Sequence, residues 1–234
     1  MIIPNFFVDG ATGVGKTTFI NLLKQHLSYI SVITEEVENF TNVQNTGNIL
    51  ERYFSNPPRW ALSTNIYITL THVKSLEITN KSNNKNLTAI IMDRSIYSDY
   101  YIHAKMEYRQ NQMDLLEYTI YKEFFDYIEK NTIRPTGFIY LKASPELVLQ
   151  RVHERNRTEE RNLQLQYQKI QAFLYDQLFI EKKDIPENIA RIPVLILDAT
   201  KNFKDDIEIQ KNYINQVKNF IELCIKNQKL YSST

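Results

Sequence analysis

Nine consecutive residues, Gly10, Ala11, Thr12, Gly13, Val14, Gly15, Lys16, Thr17 and Thr18, carry the most legible chemistry in this chain. Gly10, Gly15, Lys16 and Thr17 hold the fixed places of the pattern G-x-x-x-x-G-K-[ST], whose backbone N–H groups turn inward around phosphate oxygens. Lys16 has the reach for the outer phosphates of a triphosphate such as ATP, and the Thr17 hydroxyl is placed to ligate Mg²⁺. An apolar run, Ile2 to Val8, precedes the loop, and a helical pattern, Thr18 to Leu27, follows it. The helix would then point the positive end of its dipole at the same phosphates. The chain has five glycines, and three of them fall in this one turn. The competing account is a glycine-rich turn that binds nothing. It has to treat strand, lysine and threonine as coincidences.

Acids and arginines recur at comparable places. Ser31 to Thr34 is a short β-branched run that ends in Glu35 and Glu36, and Leu87 to Met92 is an apolar run that ends in Asp93-Arg94-Ser95. In open parallel sheets, ligands sit outside the carboxyl ends of the strands. A carboxylate there can orient or deprotonate an acceptor hydroxyl, while an arginine clamps the moving phosphoryl group. Taken singly, each acid has a competing account as a solvated loop carboxylate, which the strand-end rule disfavours more for Glu35 and Asp93 than for Glu36. Further on, RVHERNRTEER supplies Arg151, Arg155, Arg157 and Arg161. In a triphosphate-binding protein, four arginines in one short stretch suit a lid at about 155–161 that closes on the nucleotide. The alternative is a solvated helix paired internally with Glu154, Glu159 and Glu160.

The elements that must position these groups alternate along the chain. Helical patterns cover Ile49 to Phe54, then Asn56-Pro57-Pro58 through Trp60 to about Thr79, with prolines suited to a first helical turn. Asn80 to Asn86 reads as a solvated loop, as does Asn42 to Asn48. Helices follow at about Ile96 to Glu107 and Asp114 to Lys130, a strand at Phe138 to Leu141, and helices from Pro145 through Arg155 and from Leu163 to Phe179. Pro193 to Leu197 is the last strand and Ile207 to Ile225 the last helix. This alternation predicts an α/β fold of the P-loop NTPase type: three layers, a parallel five-stranded sheet, helices on both faces and an arginine-rich lid. The 234 residues then form one domain, 1–234, with no second-domain linker.

Composition narrows the function classes. The net charge is +1, which offers no broad field for nucleic acid or an acidic membrane. The single cysteine, Cys224, lies in an apolar helical stretch, which excludes an internal disulfide and suits a reducing compartment. No apolar run approaches the ~18 residues of a membrane span. The expectation is a soluble, cytoplasmic protein with small-molecule partners.

Six blocks, in order, resemble the cellular deoxynucleoside kinases, most of all their deoxycytidine and deoxyguanosine kinase branch. They are GATGVGKTTFINLLKQ, Thr34-Glu35-Glu36-Val37, GNILERYFSNPPRWALSTNIY, MDRSIYSDYY, YLKASPELVLQRVHERNRTEE and Pro193 to Asp205. The resemblance implies ATP-dependent phosphorylation of the 5′-hydroxyl of a 2′-deoxynucleoside. Glu35 would be the catalytic acid-base group, Arg94 would hold it and the phosphoryl group, and Asp93 would assist at the Mg²⁺ side with Thr17. Arg151, Arg155 and Arg157 would clamp ATP, and Phe203 would pack near its adenine. Leu50, Phe54, Trp60, Asn65, Asp99, His103 and Glu160 would form the nucleoside site, with Glu160 on the 3′-hydroxyl. The resemblance also implies a homodimer, for which the aromatic helix Asp114 to Lys130 is a candidate, although Phe124 and Phe125 suit a buried core equally.

Departures from that family's pattern gather in the nucleoside site. Phe54 replaces a tyrosine, Asn65 a glutamine and His72 an arginine, and Thr64 and His103 stand where aromatic side chains stack on the base. Asp99 keeps the aspartate of the resembling branch, where the thymidine-accepting branch has alanine. A carboxylate there would repel the O4 of thymine, so deoxycytidine or a purine deoxynucleoside is expected to be preferred over thymidine. Two rival readings remain at this stage. A nucleoside-monophosphate kinase of the thymidylate type would need a further basic group for the acceptor's phosphate. A non-catalytic nucleotide-binding subunit or switch would use neither Glu35 nor the Trp60 helix in chemistry.

Overall fold

The computed structural model describes residues 3–35, 37–81, 87–157, 160, 161 and 163–231. Five strands, β1 (Asn5–Asp9), β2 (Ile30–Ile33), β3 (Ala89–Asp93), β4 (Gly137–Lys142) and β5 (Val194–Asp198), lie in the order β2-β3-β1-β4-β5. Every neighbouring pair is parallel. β1 and β3 are buried along their whole length, so they read as unbroken apolar runs rather than alternating ones. The register sets Val8 opposite Asp93 and Ile33 opposite Met92. The ends of β1, β2 and β3 are therefore level, which brings the glycine-rich loop, Glu35 and Asp93 to one edge.

Helices cover both faces. On one side lie α1 (Lys16–His26) and the last helix of the chain, whose Phe220 meets Phe6 edge-to-face at 5.8 Å. On the other, Phe138 is wedged between Tyr97, at 5.5 Å, and Phe179, at 5.1 Å. The chain passes through α2 (Glu38–Thr41), α3 (Ile49–Ser55), α4 (Pro57–Lys81) and α5 (Ile96–Ser98). It continues through α6 (Lys105–Arg109), α7 (Leu115–Asn131), α8 (Pro145–Arg155), α9 (Leu165–Asp176), α10 (Glu187–Ala190) and α11 (Ile207–Tyr231). Several starts carry side-chain caps that the sequence supplies. Asn48 accepts from Glu51 N, Ser144 caps α8 ahead of Pro145, and Asp114 and Glu117 form a reciprocal capping box on α7.

Some expectations need correction. The helix expected at Ile96 to Glu107 is three pieces, because a π segment, Asp99–Ala104, joins α5 to α6. A second π segment, Gln177–Glu181, continues α9. Hydrophobic spacing does not distinguish one π turn inside an α-helix. The expected loop Asn42 to Asn48 holds a 3₁₀ turn, Val43–Asn45, with Gln44 and Asn45 at positive φ. α4 runs on to Lys81 and α11 beyond Ile225 to Tyr231. The rest of the expected 80–86 loop, and Glu36, lie outside the described residues. Among the described residues no helix is long and apolar enough to cross a membrane.

Candidate active site

A cleft of about 840 Å³ opens over the carboxyl ends of β1, β2 and β3. Its floor is the glycine-rich loop. Gly13 has φ 94°, and a Cβ there would lie 2.4 Å from Val152 Cγ2. Gly15 has φ 111°, and a Cβ would lie 2.9 Å from the Phe203 ring. Only glycine suits both conformation and space. Thr12 to Thr18 all line the cleft, at the N-terminus of α1. Lys16 Nζ donates to Gly10 O at 2.8 Å and Ala11 O at 3.2 Å. Burial, then the Arg94 charge, lowers its ammonium to about 8, so an anion beside it would gain from restoring the full charge. Gly10 and Ala11 act through these carbonyls and do not line the cleft.

Beside the loop stands a buried charge centre. Glu35 Oε1 lies 3.6 Å from Arg94 Nε and 3.3 Å from His72 Nε2. His72 Nδ1 is 2.9 Å from Asp99 Oδ2, which also accepts from Thr69 Oγ1 at 3.2 Å. Burial works to raise the Glu35 carboxyl, but Arg94, then His72 and Lys16, outweigh it and hold Glu35 well below the usual carboxylate range. Burial works to lower His72, yet Asp99 and Glu35 together raise it to about 10, so the imidazole is a cation bridging two carboxylates. Burial and the Glu35 charge push Asp93 up to about 6. His103 is driven well below its ordinary value by burial and Arg94. Its neutral Nε2 accepts from Arg94 Nη1. Arg94 itself sits at φ 69°, a left-handed conformation unusual for a non-glycine residue.

The arginines divide by role. Arg151 Nη1 donates to Val14 O at 3.0 Å and Ala199 O at 2.7 Å, tying α8 to the loop and to the end of β5. Arg155 donates to Glu160, and Arg157 lies 3.7 Å from the same carboxylate. The internal pairing weighed for this stretch is thus realised at Glu160, while all three arginines and Glu160 still line the cleft. Arg161 donates to Asn156 Oδ1, and Glu159 lies outside the described residues. Phe203 also lines the cleft, with its ring packed edge-on to Phe19.

The helical wall of the cleft comes from α3, α4, the π segment and α6. Leu50, Phe54, Asn65, Asp99 and His103 all line it. Trp60 does not; the Arg52 and Arg59 guanidiniums sit over its ring at 5.0 and 4.7 Å. Several contributors escaped sequence reasoning. Gln171 Oε1 accepts from Thr12 N at 3.0 Å, and Gln168 Nε2 donates to Thr12 O at 3.0 Å, so α9 pins the loop. Glu107, buried on α6, faces the cleft beside Asn65. Glutamines spaced for one helix face carry no distinguishing signal, and the Asn65–Glu107 contact spans 42 positions.

The residues fit a nucleoside triphosphate with Mg²⁺. Asp93 Oδ1 is buried without a partner among the described residues, and Thr17 lines the same cleft. Among the described residues no group of three or more His, Cys, Asp or Glu is placed to hold a metal alone. Mg²⁺ commonly takes one or two protein groups plus substrate phosphates.

Residues 6–222 match the family model described as Deoxynucleoside kinase. The chain is 28% identical to deoxycytidine kinase of Homo sapiens, over 94% of this chain and 91% of that one. It is 30% identical to the mitochondrial deoxyguanosine kinase of Xenopus laevis, with the same coverage. It is also 29% identical to a probable deoxycytidine kinase of fowlpox virus (strain NVSL), over 92% of this chain and 86% of that one.

Proposed function

This chain belongs to the deoxynucleoside kinase family, and we propose that it catalyses ATP-dependent phosphorylation of the 5′-hydroxyl of a 2′-deoxynucleoside. The observation that carries this reading is Glu35, a half-buried carboxylate kept ionised by Arg94 and His72 in the cleft floored by the phosphate loop. An acceptor hydroxyl hydrogen-bonded to Glu35 gives up its proton there as its oxygen forms the new bond to the γ-phosphorus, while the bond from that phosphorus to the β–γ bridging oxygen breaks and ADP leaves. Arg94, beside Glu35, offers a forked donor to the moving phosphoryl oxygens. Lys16 and the lid arginines Arg155 and Arg157 hold the triphosphate, with Phe203 on the adenine side. Thr17 and Asp93 would hold Mg²⁺, which neutralises phosphate charge when bound. Glu160, alone or with Tyr53, is the partner for the sugar hydroxyl that Phe54 cannot bond.

The finer parts of the proposal follow from the same residues. The substrate is deoxycytidine or a purine deoxynucleoside in preference to thymidine. The protein is one kinase domain with its lid at about 155–161, acts as a homodimer, and works in the cytoplasm, which fractionation tests. The test of the reaction is a panel of the four deoxynucleosides, the ribonucleosides and the deoxynucleoside monophosphates with ATP and Mg²⁺. Phosphorylation of monophosphates alone would overturn the reading in favour of a monophosphate kinase. Slow ATP hydrolysis with no acceptor would favour a nucleotide-binding switch.

A further inference from the structure

Asp99, His103 and Glu107 stand four residues apart, and all three line the cleft. The π segment between α5 and α6 widens the helical turn and keeps this spacing on one face. Asp99 and His103 are already engaged, by His72 and Thr69 and by Arg94. Glu107 differs. It is 4% exposed, and the groups that act on it are Asn65 and the phenols of Tyr53, Tyr121 and Tyr167. None of these is a cation. Burial pushes its carboxyl up to about 8. A buried carboxyl without a counter-ion is costly unless hydrogen bonds satisfy it.

Asn65 settles what this corner offers. Its Nδ2 donates to Ala61 O at 2.8 Å and to Glu107 Oε2 at 2.5 Å, which uses both N–H groups. What remains towards the cleft is Asn65 Oδ1, an acceptor, and the Glu107 carboxyl, whose value of about 8 leaves it a proton to give up when a donor approaches. Next to Asn65, Thr64 Oγ1 is buried and has no partner among the described residues, although Thr64 lines the same wall. Two converging acceptors suit the two N–H groups of an exocyclic amino group. A keto oxygen at the same spot would meet an acceptor at Asn65 Oδ1 and would have to keep Glu107 in its neutral form or draw on Thr64 Oγ1.

We propose that Glu107 is a specificity-determining residue of the nucleoside site, pairing with Asn65 to receive the exocyclic amino group of the base and to exclude thymine. The proposal rests on the kinase reading above. It moves the base-reading carboxyl from Asp99, whose charge His72 already holds, to α6.

The test compares kcat/KM for deoxycytidine, deoxyadenosine, deoxyguanosine and thymidine in the wild type, Glu107→Gln and Glu107→Leu. The KM for ATP and a melting curve accompany each. Glu107→Gln keeps the shape but can turn a donor towards the base. The ratio of the best amino-bearing substrate to thymidine should fall about 10-fold or more, the worth of one well-made buried hydrogen bond. The KM for ATP should stay within about two-fold. Should Glu107→Leu fail to fold, Glu107→Gln decides. An unchanged ratio in an active Glu107→Gln variant would make Glu107 a structural group and overturn the assignment, as would a wild type that prefers thymidine. A wild type that phosphorylates none of the four would overturn the kinase reading and this inference with it.

Discussion

The charge centre makes the most direct claims about single residues. Glu35→Gln removes the proton acceptor while leaving the loop intact. We expect kcat to fall roughly 10²-fold or more, within the range for general acid–base groups, with the KM for ATP little changed; steady-state kinetics checks this. His72 gives a pH signature. Its ordinary value of 6.5 is raised to about 10 in the folded protein, so the fold binds its proton more tightly than the unfolded chain does. The stability it contributes is fully present below about pH 6.5 and is lost as pH rises through about 10. Melting temperatures from pH 6.5 to 10 should therefore decline less steeply in His72→Asn than in the wild type, and parallel curves would count against the bridging imidazolium. Glu35, Asp93 and Arg94 were legible in the sequence because strand ends in a parallel sheet face the ligand. Glu107 was not, since its partners come from other helices and its place depends on how α4 and α6 pack.

Among elements, the phosphate loop is held from behind by α8 and α9. Gly13 lies against Val148 and Val152 of α8, and Thr12 is bonded by Gln168 and Gln171 of α9. Gln171→Ala would remove the partner of the half-buried Thr12 N–H, at a cost of about 1 kcal/mol. We expect a lower melting temperature and a KM for ATP raised several-fold, with the deoxynucleoside KM unchanged. A variant that alters only the nucleoside KM would refute this coupling. The strands and long helices were readable from apolar runs, prolines and caps. The two π segments were not, because a single wide turn leaves the hydrophobic pattern intact. The short α2 and α10 also went unread, being single turns whose formation depends on tertiary contacts rather than periodicity.

For the molecule as a whole, α7 leaves an apolar stripe uncovered. Leu116 and Tyr127 are each 67% exposed and Ile120 is 45% exposed, spaced for one helix face. Phe125 is not part of that stripe; it is core, stacked on Tyr100 at 4.6 Å. Clustered exposed apolar side chains mark interaction surfaces more often than chance. We expect light scattering to give a dimer for the wild type and a monomer for the double variant Leu116→Glu, Ile120→Lys. A monomeric wild type would remove the dimer from the proposal. Composition gave no sign of this surface, because the same leucines and tyrosines would serve a core; only burial tells them apart.

One buried atom makes the native chain its own reporter. Cys224, the single cysteine, is 4% exposed on α11, and burial raises its thiol to about 11. A disulfide reagent can reach it only when α11 lifts from the sheet, so the labelling rate reads the free energy of that opening. Tyr213, eleven residues and about 16 Å earlier along α11, packs on Phe203, which lines the cleft. A chromogenic thiol assay, with no engineered probe and no substrate turnover, therefore senses whatever tightens the packing of α11 on the sheet and, through Tyr213, on Phe203.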